Sequence, residues 1–235
     1  MSTNLAKGLP ATLNETNPSL NLGAEYTAPD GRKYRYALFG AAGIAGELYQ
    51  GPAEVAGNES RLVAVTVVGA TSVTTVDTVT VTANQYAGGW LVATAEGGTG
   101  NGYAYRIKSH PAAAAAVCTF TLEEPLRVAF SALTQIDLVL NPYNGVIVNV
   151  AASTAAPVGW AVSVVTAGNY GWLQTWGPGV VLNDATAALG VNDGISSSNG
   201  VDGAVEFGVA RQPNIGYAMT GIAQNEFGVA FLRLS

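Results

Sequence analysis

Val76-Asp77-Thr78-Val79-Thr80-Val81-Thr82 is the stretch from which the fold is read. Val and Thr alternate with period two, both types are β-branched, and neither supplies the 3.6-residue spacing of an amphipathic helix. The reading is a half-buried strand. Working outward, short apolar runs recur at 62–68, 90–94, 103–109, 117–122, 146–150, 160–165 and 228–234. Turn-forming clusters separate them, among them Ala87-Gly88-Gly89, Gly168-Asn169, Gly177-Pro178-Gly179, Asn192-Asp193-Gly194 and Asp202-Gly203. Many short strands with such punctuation predict an all-β chain of small β-barrel or β-sandwich domains. Residues 1–33, polar and spaced by Pro10, Pro18 and Pro29, read as an extended N-terminal arm. The small-residue link at 151–157 then divides the remainder into a β-rich domain at 34–150 and a small barrel at 151–235, with 229–234 as the closing strand. One short helix is weighed against a strand behind Glu123-Glu124-Pro125, with Leu126, Phe130 and Leu133 on one face.

Composition narrows the chemistry. Of 235 residues only 11% are charged, 16 acidic against 10 basic, for a net charge of −6; an average domain carries about 25%. One Cys and one His exclude an intrachain disulfide framework and a Cys/His zinc site. A nucleophile–histidine enzyme would depend wholly on His110. A hydrophobic content of 49% excludes disorder. The N-terminus has no apolar core of a secretory signal, and no run of about 18 apolar residues spans a membrane, so synthesis in a cytoplasm is expected. The sequons Asn14-Glu15-Thr16 and Asn58-Glu59-Ser60 are then chance occurrences.

Each motif has a functional and a structural reading. Gly40-Ala41-Ala42-Gly43-Ile44-Ala45-Gly46 has the wrong spacing for a dinucleotide loop, and Gly51-Pro52 stops any following helix, so a turn between strands is expected. Gly97-Gly98-Thr99-Gly100-Asn101-Gly102 lacks the Lys-Ser/Thr of a phosphate loop and reads as a hairpin tip. Arg106 and Lys108, two apart on a strand, face one side and are candidates to grip an acidic partner. His110 is structural or solvent-exposed, and Cys118 a small buried hydrophobe. Glu123 and Glu124 point to opposite faces and make no glycosidase pair. Asp184, Asp193 and Asp202 are turn formers before they are calcium ligands. Arg32-Lys33-Tyr34-Arg35-Tyr36 has the composition of a single-strand nucleic-acid platform, but the acidic chain weakens that reading, and a short edge strand docking on a protein partner is preferred. Tyr170, Trp172 and Trp176 read as core filling or as a contact surface.

Two groups of segments carry a family resemblance. Thr82-Ala83-Asn84-Gln85-Tyr86-Ala87-Gly88-Gly89-Trp90-Leu91, followed by 98–103 and Arg106-Ile107-Lys108-Ser109, resembles structural proteins of tailed bacteriophages. Ala167-Gly168-Asn169-Tyr170-Gly171-Trp172-Leu173-Gln174-Thr175-Trp176-Gly177 is similar to a Tyr-Gly-aromatic-Gln turn of capsid-associated β-barrel proteins, and 208–218, with Ile215-Gly216-Tyr217-Ala218, is similar to a later strand of such barrels. The resemblance spans 34–235 and implies a capsid decoration, or head cement, protein. It implies a non-enzymatic virion subunit on the capsid exterior, bound to the major capsid protein and self-associated as a trimer. No cofactor, metal, nucleic acid or membrane enters this expectation. The expected partner contacts are Arg32, Lys33, Arg35, Arg106, Lys108, Tyr170, Trp172 and Trp176. Two rivals are a tail-fibre or glycan-binding module stacking sugars on Tyr170, Trp172 and Trp176, and a polysaccharide hydrolase using Asp184 or Glu206.

Overall fold

A computed structural model describes residues 13–94, 97–184, 186–208 and 213–234. Among these the secondary structure is almost wholly strand, with one short 3-10 turn at Ala56–Asn58, as the alternating sequence predicts. In chain order the strands are β1 (Glu25–Thr27), β2 (Lys33–Phe39), β3 (Leu48–Gln50), β4 (Arg61–Leu62), β5 (Ser72–Thr74), β6 (Val79–Val81), β7 (Trp90–Ala93), β8 (Ala104–Ser109) and β9 (Ala113–Ala116). There follow β10 (Thr119–Leu122), β11 (Gln135–Val139), β12 (Asn144–Val148), β13 (Pro157–Ala161), β14 (Tyr170–Leu182), β15 (Gly194–Ser197), β16 (Val205–Phe207), β17 (Gly216–Ala218) and β18 (Phe227–Arg233). The chain forms two compact units, one from 1–53 with 142–235 and the other from 54–141. The expected division at 34–150 and 151–235 therefore gives way to an inserted unit, because β2 and β3 pair with strands that follow residue 142.

In the first unit, β2, β12, β3, β13 and β14 close into a five-stranded barrel, β14 returning to β2. Only the β2–β12 pair is parallel. Ala37, Phe39, Tyr49, Val146, Val158, Ala161, Val165 and Leu173 fill the interior. The barrel expected within 151–235 alone is thus corrected: β18 does not close it. That strand pairs with the second half of β14 and leads into a sheet of β14, β18, β17, β15 and β16. This sheet curls until Val205 bridges Asn183 beyond the end of β14, enclosing Val181, Leu189, Ile195, Ile215 and Leu232.

One strand serves both sheets because of Gly177-Pro178-Gly179, expected to be an inter-strand turn and found inside β14. Gly177 has φ +89°, open to glycine, and Pro178 has no N–H for a ladder bond. The buried Gln174 amide donates to the carbonyls of Trp176, Gly177 and Pro178 at 3.2, 3.3 and 2.8 Å, satisfying acceptors that the bend takes out of the ladder. The Tyr-Gly-Trp-Leu-Gln segment is correspondingly the first half of this strand and not a turn.

The described part of the N-terminal arm is docked on its own barrel. β1 pairs with β2, and Leu13, Leu20, Leu22, Ala24 and Tyr26 pack on Tyr34, Tyr36 and Trp172. β2 has β1 and β14 as neighbours, so the expected edge strand is an interior one. Residues 1–12 of that arm, and 209–212 of the 208–218 segment, lie outside the described residues.

The second unit is a six-stranded sheet ordered β4-β11-β7-β8-β10-β5. Its two edges meet where Ala64 N–H donates to Thr74 O and Val76 N–H to Leu62 O, both at 2.9 Å. A separate β6–β9 ladder adjoins it. Val79 and Val81 are buried and Thr80 is exposed, as the alternation requires. The strand stops short of Val76, where Asp77 accepts the Leu62 N–H and turns the chain. The Gly97–Gly102 stretch is the hairpin tip between β7 and β8, with Gly100 and Gly102 at positive φ. Three expectations are corrected here and nearby. Of the first expected run only Leu62 lies in a strand, the run at 160–165 lies earlier as β13, and 125–133 is neither helix nor strand. Leu126 and Phe130 are buried there, but Leu133 is exposed.

Candidate functional site

Of the residues expected to meet a partner, several meet the chain's own N-terminal segment. Arg35 pairs with Glu25 at 2.8 Å and donates to Gly23 O at 3.0 Å. Tyr170 stacks on Tyr36 with centroids 5.6 Å apart, and Trp172, 3% exposed, lies against Tyr26 and Tyr36. Tyr36 donates to the Glu15 carboxylate; burial, and then that bond, push its pKa up to about 12. Arg32 is held by Asp30 at 2.7 Å and Lys33 is half-buried opposite Trp176. Tyr170 and Trp172 therefore do not form a sugar platform with Trp176, because the segment covers them. Arg106 and Lys108 do share the outward face of β8. Arg106 lies over Trp90 at 5.4 Å, donates to Gly88 O and approaches Glu123 at 3.6 Å; Lys108 is exposed.

Trp176 belongs to a surface that motif reading missed. On β14 and β18 the register sets Trp176 beside Arg233, Pro178 beside Phe231, and Val180 beside Val229. Tyr217 of β17 is opposite Phe231, and Met219 N–H bonds Val229 O. These side chains share one face, and the alternate ones, Val181, Ala230 and Leu232, fill the core. Val180, Phe227, Val229 and Met219 are 36–53% exposed. Tyr217 stacks on Phe231 at 5.4 Å, Trp176 meets Phe231 edge-on, and Arg233 lies over Tyr217 at 4.8 Å. Beside this face is a cleft of about 470 Å³ lined by Arg32, Tyr34, Trp160, Gln174, Val180 and Phe227, among others. The buried Trp160 indole N–H has no hydrogen-bond acceptor among the described residues. The alternation of 227, 229, 231 and 233 was the available signal: both parities of β18 are largely apolar, more than one buried face needs.

The second unit has its own apolar surface. Val65, Val67, Val68 and Leu133 are 65–70% exposed. Here backbone bonds from Thr66 to Phe130 O and from Gly69 to Leu126 O hold the 64–70 segment in place.

Scans against protein-family models, curated proteins and solved structures find no match. The chain's chemistry-bearing groups are therefore read from geometry alone. His110 is buried in the second unit. Its Nε2 accepts the Tyr86 N–H at 3.0 Å and Nδ1 lies 2.9 Å from Pro111 O, an arrangement satisfied by the neutral Nδ1–H tautomer. Burial lowers its pKa, and burial raises that of Cys118, whose sulfur is 4.0 Å from Nδ1. This pair is thus a neutral thiol beside a neutral imidazole. Asp184 is buried and accepts from Thr186 N, Thr186 Oγ1 and Ser198 Oγ at 2.8–3.0 Å. Asp193 accepts the Gly190 N–H within its own turn and Asp202 the N–H of the sequence-distant Ala151, so the three aspartates are engaged separately. Glu206 is buried on β16 opposite Ser196. Among the described residues no cluster of three His, Cys, Asp or Glu is placed to hold a metal ion.

Proposed function

We propose that this protein is a non-enzymatic structural subunit of a tailed-phage particle, binding the outer head surface and tying neighbouring major capsid subunits together. The observation that supports this reading most is the presence of an apolar, nearly uncharged surface on each of two β units. A bridging subunit needs at least two contact surfaces, and protein-interface cores are depleted in charge. Single apolar residues on a surface need no explanation, whereas a contiguous patch does. Side chains on a backbone already held by hydrogen bonds, as on β14 and β18 and in the 64–70 segment, lose little backbone freedom on docking, which favours association at moderate contact area. Repetition over a lattice then multiplies modest contacts into avid attachment.

The test uses expanded heads lacking the protein. Added back, the purified chain is expected to sediment with the heads and to raise their resistance to heat. Val67→Asp, on an outward valine of the second unit, is expected to reduce binding at least tenfold without unfolding the chain. Absence of binding, or heads equally robust with and without the protein, overturns the reading. Binding to a glycan array that is lost on Trp176→Ala would replace it with an adhesin.

A further inference from the structure

We infer that the cleft beside β14 binds a small neutral molecule through an imide edge, an N–H flanked by two carbonyls on a ring of the uracil type. The first ground is a row of side chains. Tyr34 of β2 is the register partner of Gln174 of β14, and Gln174 is the register partner of Trp160 of β13. Register partners project from one face of a sheet. Here it is the outer face of the barrel, because the alternate residues Leu173 and Ala161 fill the interior. Tyr34, Gln174 and Trp160 all line the cleft, and they are 4%, 2% and 1% exposed.

The second ground is that each of the three keeps a polar atom which the chain leaves unpaired. The Trp160 indole N–H has no acceptor among the described residues. The Gln174 amide nitrogen is committed to the carbonyls of Trp176, Gly177 and Pro178, which fixes the amide's orientation and leaves its Oε1 with no donor among the described residues. The Tyr34 hydroxyl makes no hydrogen bond among the described residues, and burial raises its pKa, so it stays protonated and able to donate. Buried polar groups are normally paired, so three exceptions in one row require an explanation. Across the strands they read donor, acceptor, donor. The complement is acceptor, donor, acceptor, which is the edge of an imide. The outer two of these three strands are about 10 Å apart and their side chains stand roughly perpendicular to the sheet. A lone water or hydroxyl oxygen, reaching about 2.9 Å to each partner, does not bridge that span.

The third ground is the rest of the lining. Val162, Val180, Phe227 and Val229 are apolar walls. A sugar would lose the hydration of its remaining hydroxyls against them, whereas the ring of an imide presents carbon. Of the described residues that line the cleft only Arg32 carries a charge, and Asp30 holds it at 2.7 Å, so the ligand that fits is neutral. The volume of about 470 Å³ is within the range of small-molecule sites and leaves room for an apolar substituent on the ring. The site does not rest on the head-binding reading.

The experiment is nuclear magnetic resonance on the isotope-labelled, purified full chain with no capsid present. The four tryptophans give four indole N–H resonances, and the one missing from Trp160→Phe belongs to Trp160. Uracil is expected to move that resonance with a dissociation constant of about 1 mM or tighter. Cytosine, which sets an acceptor at the central position, and 3-methyluracil, which has no N–H there, are expected to bind at least tenfold more weakly. Tyr34→Phe removes no hydrogen bond seen among the described residues. It and Trp160→Phe are each expected to weaken uracil binding about tenfold, with unchanged circular dichroism. A uridylate pentamer is expected to bind no tighter than uracil, since Arg32 alone is there to meet phosphate. Four results overturn the inference. One is no shift at about 20 mM uracil, which leaves these groups to water. The others are cytosine bound as tightly as uracil, unchanged affinity in both variants, and a pentamer bound a hundredfold tighter, which marks a nucleic-acid site instead.

Discussion

Replacing Trp172 with alanine asks whether the barrel holds the N-terminal segment. The indole is 3% exposed, edge-on to Tyr36 at 5.4 Å and tilted against Tyr26 at 6.0 Å. A side chain of this size hides roughly 200 Å², worth about 5 kcal/mol at ~25 cal/mol/Å². The denatured chain already hides part of that area, which lowers the figure. Each lost ring contact adds back about 0.5–1.5 kcal/mol. Leu20, Leu22 and Tyr26 are only half-buried and can close on the gap, so the expected loss is about 3–4 kcal/mol, within the lower part of the range for such truncations. A two-unit chain need not unfold in one step, so a single melting midpoint is the wrong assay. Hydrogen exchange resolves the units: peptides from 13–33 and β2 are expected to lose protection, while those from 54–141 keep theirs. A loss below about 1 kcal/mol, with residues 13–33 as protected as in the parent, would refute this account and return Trp172 to the set of free contact residues.

The remaining expectations concern both units. Burial holds the His110 pKa below its ordinary 6.5, so the unfolded chain takes up a proton that the folded one resists. Stability of the second unit is therefore fully present above about pH 6.5 and declines as pH falls below it; urea titrations from pH 7.5 to 5 check this, and His110→Gln is expected to flatten the decline. Gly216→Ala places a Cβ 2.2 Å from the Phe231 carbonyl oxygen, a backbone contact that no rotamer relieves. It is expected to cost about 3 kcal/mol or more and to release β17 in hydrogen exchange. Asp184→Ala leaves the Ser198 hydroxyl and Thr186 N–H without their acceptor, at a cost of about 1–3 kcal/mol by denaturant titration. A neutral result there would show that water replaces the carboxylate.

The alternation at 78–82, the glycine-rich hairpin at 97–102 and the apolar runs at 90–94, 103–109 and 228–234 were legible because strand periodicity and positive-φ turns are local properties. The run at 62–68 was misleading for the same reason. Val65, Val67 and Val68 have strand-forming shapes, but the chain there bonds to an irregular segment and leaves them in solvent. Gly177-Pro178-Gly179 reads locally as a turn, yet Gln174 supplies the donors that let a strand pass through it. The candidate site divides along the same line. The sequence singled out Trp176, Trp172 and Tyr170 together as aromatic side chains, but their fates differ according to what comes back from residues 13–28 to cover them.

By itself, then, the amino-acid sequence determined an all-β protein, poor in charge and in catalytic groups, because composition and two-residue periodicity act through each residue's own shape and solvation. Only the tertiary structure decided that one unit is inserted in the other, that the arm lies on its own barrel, and that Trp176, Val229 and Met219 share an open face. Those are matters of which distant strands pair. Strand pairing is settled by the sum of long-range contacts, and no single segment carries that information.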